Sequence, residues 1–227
     1  DSFVSRGLGD VYKRQDQPQI DLSHDPESHF WKMAEKVDVS KSRFDKREAT
    51  MVPNSDNSNK AMSVNLDACI HCNLCVRACR EVQVNDVIGM GERGHSSKII
   101  FDFDDPMGDS TCVSCGECVQ ACPTGALMES SLLDKNGKNK GKHDREVDSL
   151  CPYCGVGCQL TFKIKDDKII SADGRDGPAN NSRLCVKGRF GFDYINNPER
   201  LTKPLIRKKD VKKDPNERVD PSNPFSH

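Results

Sequence analysis

The sequence predicts an α+β fold made of two small cysteine-rich modules joined by a polar linker. Residues 98–103 (KIIFDF) have the composition of a β-strand. Residues 160–170 alternate apolar and polar side chains and contain an Asp-Asp turn, which predicts a β-hairpin. A short helix is predicted after Cys185, ending at the Asn-Asn-Pro stop of residues 196–198. The strand, the hairpin and the helix together give the mixed content of an α+β fold.

The composition argues against a single large apolar core. Of the 227 residues, 35% are hydrophobic and 30% are charged, and the mean hydropathy is −0.70. Metal binding is one other way to stabilise such a chain. The net charge is −1 without a long basic block before the C-terminus, so no nucleic acid partner is expected. No stretch approaches the roughly 18 apolar residues of a membrane span, and no signal-peptide pattern is present. We therefore expect a cytoplasmic protein.

Composition divides the chain into six segments. Residues 1–15 (DSFVSRGLGDVYKRQ) resemble adaptor read-through at the ends of translated metagenomic fragments, with a flexible natural terminus as the alternative, so we leave them out of fold reasoning. The other segments are a polar stretch at 16–66, a module with a repeated cysteine run at 67–133, a polar linker at 134–146, another cysteine module at 147–206 and a charged, Pro-rich tail at 207–227.

All twelve cysteines lie between Cys69 and Cys185, in three groups of four. A chain without secretory features favours metal binding over disulfides for such a set. The first two groups repeat the spacing C-x2-C-x2-C-x3-C, which is the bacterial ferredoxin run for 4Fe-4S clusters. In that run the fourth cysteine binds the other cluster. The predicted ligand sets are Cys69, Cys72, Cys75 and Cys122 for one cluster, and Cys112, Cys115, Cys118 and Cys79 for the other. Zinc is the alternative, but zinc sites usually pair two-cysteine hooks.

The third cysteine group has the spacing C-x2-C-x3-C-x26-C. It comprises Cys151, Cys154, Cys158 and Cys185, and four cysteines suit one more 4Fe-4S cluster. Here a structural zinc site is a more serious alternative. Lys187 follows the last cysteine by two residues, so it either places a cation beside the cluster or is a solvated surface lysine.

The remaining polar residues offer no catalytic group. We find no Ser–His–Asp set, carboxylate pair or P-loop motif in the sequence. His71, His24 and His29 are predicted to face solvent rather than to bind metal. Twelve thiolates and three dipositive cluster cores would change the net charge from −1 to about −7, so the loaded chain would be acidic.

Residues 62–206 resemble the N-terminal part of the catalytic α subunit of NAD-dependent, molybdenum-containing formate dehydrogenases. The stretches that carry the resemblance are CIHCNLCVRACREVQVNDVIGM, KIIFDFDDPMGDSTCVSCGECVQACPTGALM, LCPYCGVGC and LCVKGRFG. It implies a ferredoxin-like domain with two 4Fe-4S clusters, followed by the small β-rich 4Fe-4S head of a molybdopterin oxidoreductase. The first copy of the run has Arg80 where the second has Pro123, a local departure from the pattern.

The resemblance also implies a role for the parent enzyme. Formate would be oxidised to CO2 at a bis-molybdopterin guanine dinucleotide holding molybdenum or tungsten, and flavin- and NAD-binding diaphorase-type subunits would receive the electrons. Lys187 would bridge the third cluster and the pterin. The tail at 207–227 would begin the molybdenum domain, and no catalytic residue is expected in this stretch. The alternatives are a stand-alone polyferredoxin, a relay segment of an iron-only hydrogenase or complex I subunit, and a zinc-stabilised interaction module.

Overall fold

The computed structural model of the chain describes residues 23–41, 52–206 and 209. The predictions for residues 1–15 and, apart from residue 209, for the tail at 207–227 lie outside this part of the chain. The helices and strands in chain order are α1 His29–Lys36, β1 Met62–Val64, α2 Leu74–Arg77, β2 Ile88–Gly91, β3 Lys98–Phe101, α3 Glu117–Ala121, β4 Leu127–Glu129, β5 Arg145–Leu150, β6 Gln159–Lys165, β7 Lys168–Gly174 and α4 Val186–Phe190. Helix and strand are mixed, as predicted.

The repeated cysteine module contains two small antiparallel pairs of strands. Strand β1 pairs with β4, and β2 pairs with β3 in the register Ile88↔Phe101. Strand β3 is the predicted strand at 98–103, shortened by two residues. Apolar side chains and thiols share one core, which includes Met62, Val64, Val76, Ile88, Ile99, Phe101, Met107, Leu127, Cys69, Cys75, Cys79 and Cys118. Cluster binding and core packing therefore occupy the same volume of the protein.

The third cysteine module is built on a three-stranded antiparallel sheet in the order β5-β6-β7. The predicted hairpin is confirmed as β6 and β7. Asp166 and Asp167 form its turn with φ of +50° and +57°. A two-residue type I′ hairpin turn requires positive φ values at both positions. Strand β5 was not predicted: it begins at Arg145, inside the segment assigned to the linker. Its alternation is weak because most of its side chains are exposed at the edge of the sheet.

The helix predicted after Cys185 is confirmed, but it is broken. Helix α4 ends at Phe190, and a separate turn of 3-10 helix, Asp193–Asn196, leads to the predicted stop. At the break, the hydroxyl of Tyr153 donates a hydrogen bond to the carbonyl of Gly191. This bond ties the loop of the third cysteine group to the helix that begins at its last cysteine.

The segment at 23–41 packs against the repeated cysteine module through helix α1. Trp31 and Ala34 are buried, and Ser28 caps the helix by accepting a hydrogen bond from the Trp31 amide. The Phe30 amide donates to the Pro123 carbonyl at 2.8 Å. His24 was predicted to face solvent, but it is half-buried, with Nε2 at 3.0 Å from the Gly125 carbonyl oxygen. His29 is exposed, as predicted.

Within the described ranges, no helix is long and apolar enough to cross a membrane.

Candidate metal centres

The two copies of the cysteine run fold into the same backbone shape. In the first copy His71 and Asn73 have φ of +56° and +62°, and in the second Ser114 and Gly116 have φ of +53° and +77°. These positions are equivalent in the two runs, because each pair lies two and four residues after the first cysteine. Left-handed residues at both points curl the chain tightly, which turns successive cysteine side chains towards one centre.

The curled loops direct backbone amides at the first thiol of each run. The His71 amide donates to Cys69 Sγ at 3.4 Å, and the Ser114 amide donates to Cys112 Sγ at 3.4 Å. Such donors stabilise negative charge on sulfur and tune cluster potentials. His71 differs from the prediction in its environment, since it is half-buried and its Nδ1 lies 3.2 Å from Ser97 Oγ. Its ring therefore lies against the β3 end of the module.

The structure brings the last cysteine of each run to the other run. A small cavity is lined by Cys122 together with the first three cysteines of the first copy, Cys69, Cys72 and Cys75. On the other side, the Val87 amide donates to Cys79 Sγ at 3.3 Å, and Cys79 is one of the neighbours of the second-copy thiols. This is the arrangement that the crossed ligand sets require. The ligation itself stays a prediction.

Burial raises the pKa of these thiols, so without metal they stay protonated. Burial, followed by the neighbouring thiols Cys122, Cys69 and Cys72, raises the pKa of Cys75 to about 12. Burial also raises the pKa of Cys112, Cys115 and Cys118, the last one strongly. Metal coordination needs thiolates, so loading must displace protons from these buried groups.

The third group of cysteines is gathered between a loop and helix α4. The Cys151 amide donates to the Cys158 carbonyl at 2.8 Å, and Gly157 between them has φ of +69°. Cys185 caps the N-terminus of α4, and a Cβ added to Gly188 would lie 3.5 Å from Cys151 Sγ. Burial, then the thiols of Cys151, Cys154 and Cys185, raises the pKa of Cys158. The four cysteines predicted to bind one cluster are thus neighbours.

These arrangements fit 4Fe-4S clusters. Each of the three sites combines four thiols with a backbone that turns tightly around them, and buried donors reach the sulfurs of the first two. Among the residues that the structure describes, no three His, Cys, Asp or Glu side chains converge in the way that a single metal ion needs. The assignment to clusters rests on the spacing, the loops and the grouping of thiols.

Lys187 lies on helix α4 and is exposed. It borders a shallow groove that also includes Pro152, Tyr153, Gly191 and Tyr194. Its side chain is therefore on the same surface as the loop of the third cysteine group and is open to a group outside this chain.

Sequence reasoning missed Arg189, which is the largest completely buried side chain among the described residues. Its Nη2 donates to Glu117 Oε1 at 2.6 Å, and its Nε donates to the Cys115 carbonyl at 2.9 Å. Glu117 and Cys115 belong to the second cysteine run, so this arginine joins the two modules. In the sequence, the pair is visible only as two charged residues, Arg189 and Glu117, and neither is unusual by itself.

Two family models match separate parts of the chain. The 4Fe-4S dicluster domain matches residues 68–126, and the molybdopterin oxidoreductase Fe4S4 domain matches residues 144–197. The chain carries a dicluster domain followed by the Fe4S4 domain of molybdopterin oxidoreductases. The first match lies within the repeated cysteine module, and the second overlaps the third cysteine module but begins inside the predicted linker. Their identity and order confirm the corresponding part of the resemblance found in the sequence.

Proteins that carry the formate dehydrogenase name are among the relatives of this chain. It is 32% identical over 178 residues to "Putative formate dehydrogenase" of Staphylococcus haemolyticus, covering 63% of this chain and 18% of that protein. It is also 32% identical over 191 residues to "Probable oxidoreductase YjgC" of Bacillus subtilis, covering 68% of this chain and 19% of that protein. The chain thus spans about a fifth of the length of these relatives.

The solved structures that match this chain include a weakly similar one. It is an NAD+-reducing NiFe hydrogenase in the H2-reduced state, with 19% sequence identity and a TM-score of 0.44, covering 61% of this chain and 59% of that chain. A likeness of this size carries no functional argument.

Proposed function

We propose that this chain is the iron–sulfur electron relay of an NAD-dependent formate dehydrogenase. The observation that carries the proposal is the set of three four-thiol sites in a dicluster domain and an adjoining Fe4S4 domain. In a molybdopterin enzyme, a chain of iron–sulfur clusters of this kind would carry electrons to or from the molybdopterin. The formate dehydrogenase names of the relatives support formate as the substrate of the parent enzyme.

The proposed ligands follow the grouping of the thiols. Three 4Fe-4S clusters would be held by Cys69, Cys72, Cys75 and Cys122, by Cys112, Cys115, Cys118 and Cys79, and by Cys151, Cys154, Cys158 and Cys185. When bound, each cluster exchanges one electron. The chain supplies thiolates and a backbone that hydrogen-bonds sulfur at Cys69 and Cys112. Four of these thiols, Cys69, Cys75, Cys79 and Cys118, are buried in the dicluster core.

In the parent enzyme, formate would give CO2, one proton and two electrons at a bis-molybdopterin guanine dinucleotide bound to molybdenum or tungsten. The electrons would enter this chain at the Fe4S4 domain, one at a time, and leave through the dicluster domain. A flavin-binding, diaphorase-type partner would combine the two electrons with a proton and NAD+. The same relay run backwards would serve CO2 reduction. A cytoplasmic location fits a relay that delivers electrons to NAD.

The alternative functions lack an observation in their favour. A stand-alone polyferredoxin needs only the dicluster domain, whereas this chain continues into an Fe4S4 domain over residues 144–197. That domain also argues against the relay segment of an iron-only hydrogenase. A zinc-stabilised interaction module would need single-ion sites instead of cluster sites.

Metal analysis of the anaerobically reconstituted chain tests the proposal. We expect about twelve irons with little zinc, because three 4Fe-4S clusters each hold four. A matched variant with Cys151, Cys154 and Cys158 all changed to serine should lose about four of these irons. Stoichiometric zinc without the visible absorption of iron–sulfur clusters would contradict the cluster assignment.

The substrate needs a separate measurement on the enzyme that contains this chain. Formate added without oxygen should reduce its iron–sulfur clusters, as seen by paramagnetic resonance, and NAD+ should reoxidise them. Clusters that stay oxidised with formate, but are reduced by dithionite, would keep the relay and reject formate as the electron donor.

A further inference from the structure

Arg189 of the Fe4S4 domain inserts its side chain into the second cysteine loop of the dicluster domain. The residue is 0% exposed. Its Nε binds the carbonyl of Cys115, and its Nη2 lies 2.6 Å from Glu117 Oε1. Gly116, between these two partners, leaves the space that the arginine occupies, because a Cβ there would lie 2.1 Å from Arg189 Cδ. The loop that curls around the second cluster site is thus also the receptor for this guanidinium group.

Glu117 holds the segment of the third cysteine group at two points. Its Oε1 accepts the Arg189 side chain and also the backbone amide of Leu184 at 3.0 Å. Leu184 and Arg189 lie on either side of Cys185, the last cysteine of the Fe4S4 domain. A single buried carboxylate between Cys115 and Cys118 therefore fixes both flanks of Cys185.

A third contact comes from Gln83, which lies near Cys79, the remaining cysteine of the second ligand set. Gln83 Nε2 donates to the Leu184 carbonyl at 3.3 Å, and Gln83 follows Cys79 by four residues. Cys79 is the cysteine that reaches across to the second loop. The contacts around Cys185 thus come from residues that flank Cys79, Cys115 and Cys118, all of them proposed ligands of the second cluster.

The energetics of a buried ion pair favour a positioning role. Removing water from two charges costs much of what their attraction returns, so such pairs add little stability over apolar packing, but removing one partner is strongly disruptive. Arg189 also forms two directional hydrogen bonds, which a planar guanidinium holds at fixed angles. The pair consequently restricts how the two domains can sit against each other.

We propose that Arg189 is the positioning residue that holds the third cluster site directly beside the second one, so that these two clusters exchange electrons directly. The inference rests on the proposed relay function. The first cluster, which would be held by Cys69, Cys72, Cys75 and Cys122, would then receive its electrons through the second.

Magnetic coupling between clusters in the reduced, fully loaded chain tests the proposal. Arg189→Met should keep about twelve irons but lose the spin–spin interaction between the second and third clusters. Arg183→Met is the matched control, because Arg183 is an exposed arginine of the same segment and lies two residues before Cys185. It should leave the coupling unchanged. Cys112→Ala should remove the interaction with the third cluster, whereas Cys72→Ala should leave it in place.

Hydrogen exchange at the Leu184 amide provides a readout independent of electron transfer. We expect exchange of the Leu184 amide to become more than about tenfold faster in Arg189→Met. Truncating one partner of a buried charged pair costs more free energy than corresponds to a tenfold change in an equilibrium constant. Arg183→Met should exchange like the wild type. If Arg189→Met does not load iron, Arg189→Lys replaces it. Arg189→Lys keeps the charge but not both hydrogen bonds. The spin–spin coupling and the protection of the Leu184 amide should therefore both fall, by less than a complete loss of the arginine contacts would cause.

The outcomes separate this inference from the proposed function. A wild-type chain without three clusters would reject the relay itself. A wild-type chain with three clusters, whose second and third clusters do not interact, would reject only the inference. Unchanged coupling and Leu184 exchange in Arg189→Met, or in Arg189→Lys where that variant replaces it, would also overturn the positioning role.

Discussion

Cys122 and Cys75 line one small cavity, although they belong to different copies of the cysteine run. The same exchange places Cys79 among the thiols of the second copy. In the proposed ligand sets each copy completes the site of the other, so neither run would bind its cluster as an independent unit.

The crossing of the fourth cysteines predicts that a single cysteine variant in one run damages the cluster of the other run. Cys79→Ser should damage the cluster of Cys112, Cys115 and Cys118, because the fourth ligand of that cluster comes from the first run. Cys122→Ser is the matched control and should damage the cluster of the first run instead. Paramagnetic resonance of each variant, combined with iron content, distinguishes the two. Damage by Cys79→Ser confined to the first-run cluster would contradict the crossed arrangement.

Gly116 offers a test of the contact between domains. Its φ is +77° and that of Gly137 is +73°, so alanine is strained at both positions. Only at Gly116 would the new Cβ meet other side chains, those of Arg189 and Phe190, whereas nothing lies within 4 Å at Gly137. We expect Gly116→Ala to lower the free energy of unfolding by about 1–3 kcal/mol more than Gly137→Ala. Anaerobic urea unfolding measures the difference, and equal losses would mean that the arginine yields freely.

The sequence predicted the parts that depend on local pattern. Cysteine spacing predicted the grouping of thiols in the repeat, because in this run the first three cysteines share one loop and the fourth belongs to the other cluster. Alternation predicted the β6–β7 hairpin, because Leu160, Phe162 and Ile164 recur at every second position of β6, and Leu160 is fully buried. Strand β5 escaped prediction, since at the sheet edge its pairing with β6 needs backbone groups and little apolar alternation.

The parts that escaped prediction depend on contacts between distant segments. Arg189 is an ordinary charged residue until Glu117, 72 residues away, supplies a buried carboxylate. The His24 ring has its hydrogen-bonding partner, the Gly125 carbonyl, 101 residues away in the sequence. Neither neighbour is signalled by composition or periodicity around the residue itself.

Glu129 predicts a dependence of stability on pH. It is only 3% exposed, and burial, then the charge of Asp173, raises its pKa from 4.5 to about 8. The unfolded chain ionises this group above about pH 4.5, while the folded chain keeps it protonated. Its contribution to stability is therefore fully present below the unfolded pKa and is lost as pH rises towards the folded one.

The variant Glu129→Gln removes this titration. Its stability should fall less steeply than that of the wild type between about pH 5 and pH 8, by up to a few kcal/mol in total at about 1.4 kcal/mol per pKa unit. Glu35→Gln, at an exposed position of helix α1, should follow the wild type. Urea midpoints of the loaded proteins across this range supply the comparison. Parallel curves for Glu129→Gln and wild type would assign an ordinary pKa to this carboxyl group.

Lys187 lies two residues after Cys185 on the exposed side of helix α4. Its attachment keeps the ammonium group near the third cluster, where a cation offsets negative charge and can donate a hydrogen bond to a pterin edge. In the enzyme that contains this chain, Lys187→Ala should therefore lower formate turnover. A hydrogen bond to a charged group is worth about 1.5–3 kcal/mol, which corresponds to roughly 10- to 100-fold in rate if it acts in the rate-limiting step.

Iron content and cluster spectra of Lys187→Ala should stay at wild-type values, because lysine is not a cluster ligand. Lys187→Arg keeps the charge but changes reach and donor geometry, so a partial loss is expected. Lys203→Ala, at another exposed position of the same domain end, serves as the control and should retain full turnover. Wild-type turnover in Lys187→Ala would make Lys187 a solvated surface residue. Loss of the third cluster itself would instead mean that the lysine supports the fold around Cys185.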